Sequence, residues 1–222
     1  MFYFSYLQVV FGLSAAKTGY IMNIYNIVSC GCAVIISLAF RYTDTYRWAG
    51  FIAVPIQIAM AGLLIHLRAP GTHIGLLVMV EIFNAMGAAI LVQIGIIAVM
   101  AAVPHEHVAT AYALMQMITS LGGSIGQGIS GAVWTNVVPQ KTNQYLPVGM
   151  KGEGAAIYKD IVVQISYPMG SPEREATIKA YADAQKIMMI AGTCALVPCF
   201  LWVAMLKNYR LSQQRQRKGI LA

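Results

Sequence analysis

The sequence predicts an all-α protein, a polytopic bundle of membrane helices, on three observations. Hydrophobic residues fill 58% of the 222 positions and charged residues only 10%, against roughly 25% charged in an ordinary soluble domain. The charges are clustered, leaving neutral tracts over 18–40, 48–67, 82–105, 108–140 and 187–206. Each tract reaches the roughly 20 residues, at about 1.5 Å rise each, that a helix needs to cross about 30 Å of hydrocarbon. Finally, the bases gather at one end: 207–222 holds Lys207, Arg210, Arg215, Arg217 and Lys218 without an acid.

With the apolar start, Met1 to about Ser14, six membrane segments are expected. The first is truncated in appearance: its neutral run before Lys17 is short for a crossing and opens without a polar cap. A signal peptide is a poor alternative, since there is no basic region and no small-residue cleavage site ahead of a soluble sequence. Segments one to five then occupy 1–138, an extracytoplasmic loop with short helices 139–185, the last crossing 186–206 and a basic cytoplasmic tail 207–222. The positive-inside bias puts that tail in the cytoplasm. Counting back, the 41–47 and 105–107 loops lie inside, while the 15–19 turn, the 68–73 turn and the 139–185 loop lie outside. The net charge of +7 is mostly a topology signal, with a tail suited to anionic lipid. It does not indicate nucleic acid, because the bases are not interleaved with aromatics on a soluble surface.

In the second segment Asn23, Asn26 and Cys30 share a helix face. In the fourth, Glu81 and Asn84 share one; in the fifth, Tyr112, Gln116 and Thr119 do. Polar groups facing lipid are costly, so these faces turn to the bundle interior or to a wet cavity. Interhelical hydrogen bonding and substrate binding both remain open for them. Glu81, the one acid inside a predicted crossing, is the candidate proton-coupling group; an ordinary carboxylate near the headgroups is the alternative.

Gly126-Gln-Gly128-Ile-Ser-Gly131 has the spelling of a dinucleotide loop, which must follow a strand and open a helix toward water. Here it lies inside a neutral run, where unpaired backbone would meet lipid. At helical spacing, Gly122, Gly126 and Ser130 form one stripe of small residues, and Ser124, Gly128 and Ala132 a second beside it. Such rows let helices approach closely in lipid, where apolar burial gives no preference for protein. They serve static packing or a sliding surface.

No metal site is expected. Cys30, Cys32, Cys194 and Cys199 all fall in apolar segments without zinc spacing, and His105-Glu106-His107 is not H-E-x-x-H and reads as a turn after Pro104. The 139–185 loop is long enough to act as a binding or lid segment. Within it, 155–165 suits a short amphipathic piece, and Ser171-Pro172-Glu173 a helix start with hydroxyl cap, proline and acid, running on through Lys186. Tyr145, Tyr158, Tyr167 and Tyr181 supply amphipathic rings suited to an interfacial belt.

The tracts YLQVVFGLSAAKTGYI (6–21), FRYTDTYRW (40–48), IAVMAAVPHEHVATAYAL (97–114), SLGGSIGQGISGAVWTNVVP (120–139) and above all QISYPMGSPEREATIKAYADAQKIMMIA (164–191) resemble the C-terminal half of fungal siderophore–iron transporters of the major facilitator superfamily. The resemblance implies half of a major facilitator fold and a proton-driven carrier. Its substrate is a ferric siderophore, iron already wrapped by its chelator. No reaction is catalysed and no cofactor is needed. It also implies siderophore recognition in the stretch from Tyr167 to Arg174, and only loosely a gating role for Arg41, Asp44 and Arg47. Alternating access needs two bundles rocking about a central site, so a missing N-terminal helical half or a partner chain is expected. The competing readings are a drug/proton antiporter half and a non-transporting truncated membrane protein.

Overall fold

The computed structural model describes residues 2–211, so Arg215, Arg217 and Lys218 of the basic tail lie outside the described residues. All regular structure within them is helical: α1 (Phe2–Phe11), α2 (Ala15–Thr43), α3 (Arg47–Leu67), α4 (Ile74–Ala102), α5 (Val108–Tyr145), α6 (Gly154–Lys159), α7 (Ile161–Ser166) and α8 (Pro172–Met205), with single 3-10 turns at His105–His107 and Val148–Met150. Among the described residues, α2, α3, α4 and α8 are long and apolar enough to cross a membrane. α5 is longer than any of these, but its glycines, serines and glutamines dilute its apolar character. α1, at 10 residues, is shorter than a crossing.

Two boundaries differ from those expected. The turn expected at 15–19 lies earlier, because Ser14 caps α2 by accepting from the Lys17 amide at 3.4 Å, and a hydroxyl there satisfies an otherwise orphaned amide. Gly12, at φ 62°, makes the preceding bend, a conformation glycine adopts without steric cost. At the other boundary, α5 does not stop near 138 but continues through Pro139 to Tyr145. The expected piece at 155–165 is two short helices, α6 and α7. The Ser171 hydroxyl accepts from the Arg174 amide at 3.2 Å with Pro172 in the first turn, so α8 begins as its sequence suggests and runs unbroken to Met205.

Helix α3 lies between α4 and α8; α2 packs on α4 and α5 on α8. The α3–α8 contact is close: a Cβ on Gly50 would stand 2.6 Å from Val203 Cγ1. At the end bearing the 41–47 turn, Tyr46 Oη donates to the Lys207 carbonyl at 2.6 Å, and the Arg47 guanidinium donates to the Ala204 carbonyl. These are carbonyls at the end of α8, where no further turn of helix supplies an amide. The core is divided. One cluster joins α1 (Tyr6, Leu7, Val9, Val10) to Leu77, Trp134, Val138, Ile178, Tyr181 and Ala184. Another joins Phe40, Tyr46, Ala49, Ile94 and Ala98. Large apolar side chains along α2 and the first half of α5, such as Tyr20, Ile27, Met117, Ile118, Leu121 and Ile125, point outward, as lipid or a further helical bundle requires.

Candidate functional site

Arg68 follows the last residue of α3 and folds inward instead of reaching water. Its Nη2 donates to Glu81 Oε1 at 2.6 Å and its Nη1 to Gln185 Oε1 at 2.7 Å. The guanidinium also lies over the Tyr3 ring, 4.3 Å from its centroid. The ion pair is largely buried, with side-chain exposures of 9% and 12%. Removing one partner of such a pair typically costs ~3–5 kcal/mol, because the other charge is left buried alone. The flat, always-charged guanidinium suits this position, since it can bind a carboxylate and an amide while stacking on an aromatic face.

Two clefts meet at Arg68. One, of about 260 Å³, is lined by Tyr3, Ile21, Met22, Tyr25, Asn26, Arg68 and Glu81. The other, of about 700 Å³, lies between Phe2 and Tyr3 of α1, Arg68, the Gly123, Gly126, Gln127 and Ser130 face of α5, and Gln185, Met188, Met189 and Gly192 of α8. Tyr3 and Arg68 belong to both. The walls combine aromatic faces, flexible thioethers, three amides, one guanidinium and one carboxylate, a lining that holds a large ligand through stacking and hydrogen bonds. Glycine brings the α5 backbone to the wall itself. Arg68 Nε and the hydroxyls of Tyr3 and Tyr6 are buried without a hydrogen-bond partner, and such groups are costly unless something satisfies them.

Of the residues singled out from sequence, Glu81, Asn26, Gly126 and Ser130 meet in these walls. Asn23 is exposed on the outer face of α2, and Tyr112, Gln116 and Thr119 are exposed along α5. Thr119 Oγ1 donates to the Met115 carbonyl at 2.8 Å, satisfying itself on its own helix. Gly122 and Gly128 have no neighbour: a Cβ there, or on Gly126, would meet nothing within 4 Å. No helix of the described chain packs on the stripe. Among the described residues no group of three or more His, Cys, Asp or Glu side chains is placed to hold a metal ion.

The connection between α5 and α8 is fastened down. Tyr167 packs against Leu146, Ile157 and Ala176. Arg174, within the stretch that the resemblance associates with siderophore recognition, is 2% exposed. Its guanidinium donates to the carbonyls of Gln164 and Gln8. The reason is local: both carbonyls lie in the last turns of short helices, α7 and α1, where they lack intrahelical partners. A cation at such ends is stabilising by up to ~2 kcal/mol when partly buried. Burial also lowers the Tyr158 hydroxyl's readiness to ionise, raising its pKa above the ordinary tyrosine value.

Arg68, Gln185 and Tyr3 are functional candidates that sequence reasoning missed. Arg68 reads as the base of an outer turn, and its pairing with an acid 13 residues later across the turn has no periodic signature.

No family model matches the chain, and no solved structure matches it. Among curated proteins, it is 41% identical over 98% of its length to siderophore iron transporter mirB of Emericella nidulans. It is 39% identical over 97% of its length to MFS siderochrome iron transporter B of Aspergillus fumigatus, and 38% over 99% to MFS siderochrome iron transporter 1 of Ajellomyces capsulatus. It spans 36%, 35% and 38% of those three proteins. The chain is therefore a relative of the fungal siderophore iron transporters, similar to them over nearly its whole length and corresponding to little more than a third of theirs.

Proposed function

We propose that this chain forms the C-terminal half of a proton-coupled carrier that moves ferric siderophores across a plasma or endosomal membrane. In this reading α2 to α5 and α8 are crossings and α1 is part of a sixth, in two three-helix repeats, with the 207–222 tail in the cytoplasm and the 146–171 loop outside. The observation that carries it is the Arg68–Glu81 pair at the junction of two clefts. A proton taken up by Glu81 removes the charge that holds Arg68, so protonation and the shape of both clefts are linked. Iron arrives inside its chelator, which fits walls of Tyr3, Phe2, Gln127 and Gln185 with no metal ligands.

The outward-facing residues gain a use as well. Asn23, Asn26, Tyr112, Gln116 and Thr119 would face the substrate path once the second helical bundle is in place, with Tyr167 beside the entry. Gly122, Gly126, Gly128 and Ser130 would be the surface against which that bundle rocks. The bundle is provided by the N-terminal half of the carrier, on this polypeptide or another.

The test is uptake of labelled ferric siderophore by cells lacking their own carrier, with the chain expressed alone or with an N-terminal half. Uptake that requires both halves, and that loses its pH dependence in Glu81→Gln, supports the carrier. Absence of uptake in both cases favours a non-transporting membrane protein. Uptake with intact pH dependence in Glu81→Gln overturns the coupling role.

A further inference from the structure

We propose that Arg174, Gln164 and Tyr181 are positioning residues that make the outer loop set the place of α1, and through α1 the width of the larger cleft. Arg174 and Gln164 tie helix ends directly, and Tyr181 holds Gln164. Arg174 of α8 donates to the Gln164 carbonyl in the last turn of α7 and to the Gln8 carbonyl, 3.3 Å away, in the last turn of α1. The Gln164 amide in turn donates to the Ile157 and Tyr158 carbonyls at 3.0 and 3.1 Å, in the last turn of α6. Tyr181 Oη donates to Gln164 Oε1 at 2.7 Å. Three short helices thus have C-terminal carbonyls satisfied by one connected set of side chains, and none has a longer helix of its own to hold it.

The set reaches the cleft through aromatic contact. The Tyr181 ring stands edge-on to Trp134, with centroids 4.6 Å apart, and Trp134 stacks on Phe2 at 5.1 Å. Phe2 and Tyr3 form the α1 wall of the 700 Å³ cleft, while Gln185 and Met188, on the same face of α8 as Tyr181, form the opposite wall. All three tying residues are almost wholly buried. Among the described residues no acid pairs with Arg174, so its charge is held by carbonyls alone, and those carbonyls belong to the segments that must move if the loop moves. A loop pulled away from α8 frees the end of α1, and α1 carries Phe2 and Tyr3 with it. In a carrier, a ligand engaging the loop would open the cleft by this route; that direction of use rests on the carrier reading, whereas the mechanical tie does not.

The tie is tested without transport. In a background with Cys30, Cys32, Cys194 and Cys199 changed to Ala, Ser130→Cys reports the cleft and Ser37→Cys, near the opposite end of α2, serves as the reference. The rate of labelling by a membrane-impermeant thiol reagent is measured on the full chain in membranes opened to the reagent on both sides. Tyr181→Phe, which removes one hydroxyl and keeps the ring on Trp134, should speed labelling at Ser130→Cys several-fold. Arg174→Met should speed it further, and Arg174→Lys, which keeps a donor, should fall between Arg174→Met and the parent. The Ser37→Cys rate should not change. Unchanged Ser130→Cys labelling in Tyr181→Phe and Gln164→Leu overturns the proposal, as does an equal rise at both reporters, which would mean general loosening. Tyr181→Phe keeps the test decisive should Arg174→Met fail to accumulate.

Discussion

The Arg68 guanidinium and the Glu81 carboxylate meet at 2.6 Å although the chain turns back on itself between them. Arg68 ends one long apolar helix and Glu81 lies two turns inside the next, so the pair ties α3 to α4 from within. Gln185 and the Tyr3 ring add α8 and α1 to the same guanidinium. Four helices therefore converge on one side chain, and its removal should be felt by all of them.

Arg68→Met is expected to destabilise the chain by ~3–5 kcal/mol, because Glu81 is left charged in a nearly closed site. Glu81→Leu alone should cost a similar amount for the opposite reason. The double variant should recover a large part of the loss, since an apolar pair of matching volume needs no compensating charge. Thermal unfolding in detergent of the two single variants and the double variant gives the coupling. Equal, additive losses would show that the pair is not what holds the helices.

Close approach of α3 and α8 gives a second expectation. A methyl group on Gly50 would fall 2.6 Å from Val203 Cγ1 and 3.3 Å from Ile94 Cδ1. Valine has little freedom at χ1 within a helix, so the strain falls on the packing of the two helices. Gly50→Ala should cost ~1–3 kcal/mol by overpacking, outweighing the ~1 kcal/mol by which alanine is the better helix former. Val203→Ala in the same chain should relieve the loss, and a denaturation series on the three variants measures it. A stabilised Gly50→Ala would place the helices further apart than described.

The Ser171 cap is separable from the membrane part. Its hydroxyl accepts from the Arg174 amide at the start of α8, and replacing a capping serine with alanine typically costs ~1 kcal/mol. Ser171→Ala should raise hydrogen exchange in the first turns of α8, around Glu173 to Thr177, while the inner part from Met188 onward keeps its protection. Exchange unchanged in those first turns would mean that the buried Arg174 alone fixes the helix start.

Much of this architecture is legible in the residue order, and the reasons differ by element. Long neutral tracts reveal helices α2, α3, α4 and α8 because hydrocarbon tolerates little else, and Ser171-Pro172-Glu173 reveals a helix start because capping is local chemistry. Helix ends that lie beyond the neutral tracts are less legible. α5 outruns its neutral tract past Pro139, and α2 begins at Ala15 because Ser14 takes the cap. The site divides in the same way: Glu81 stands out as an acid in an apolar segment, whereas Arg68 reads as part of a loop. Arg174 is the sharpest case. The resemblance places it in a stretch associated with siderophore recognition, but in the fold the ends of α1 and α7 take up its donors, and no sequence period brings Gln8 and Gln164 together.

The α5 glycines allow a final expectation of opposite sign in two measurements. A Cβ at Gly122 or Gly126 meets nothing within 4 Å, and alanine is favoured over glycine inside a helix by ~1 kcal/mol. Gly122→Ala should therefore leave the chain as stable as before or slightly more so, with Gly126→Ala behaving alike. If the stripe is the surface that receives a second helical bundle, bulk placed there must interfere with close approach. Gly122→Leu and Gly126→Leu should then leave the unfolding of the chain unchanged while sharply reducing its co-purification with an N-terminal half. The chain's own folding supplies the internal control, because among the described residues nothing lies within 4 Å of a Cβ at Gly122 or Gly126. Undiminished co-purification of both leucine variants would move the contact to another surface, with the exposed Ile27, Val34 and Leu38 of α2 the next to be substituted.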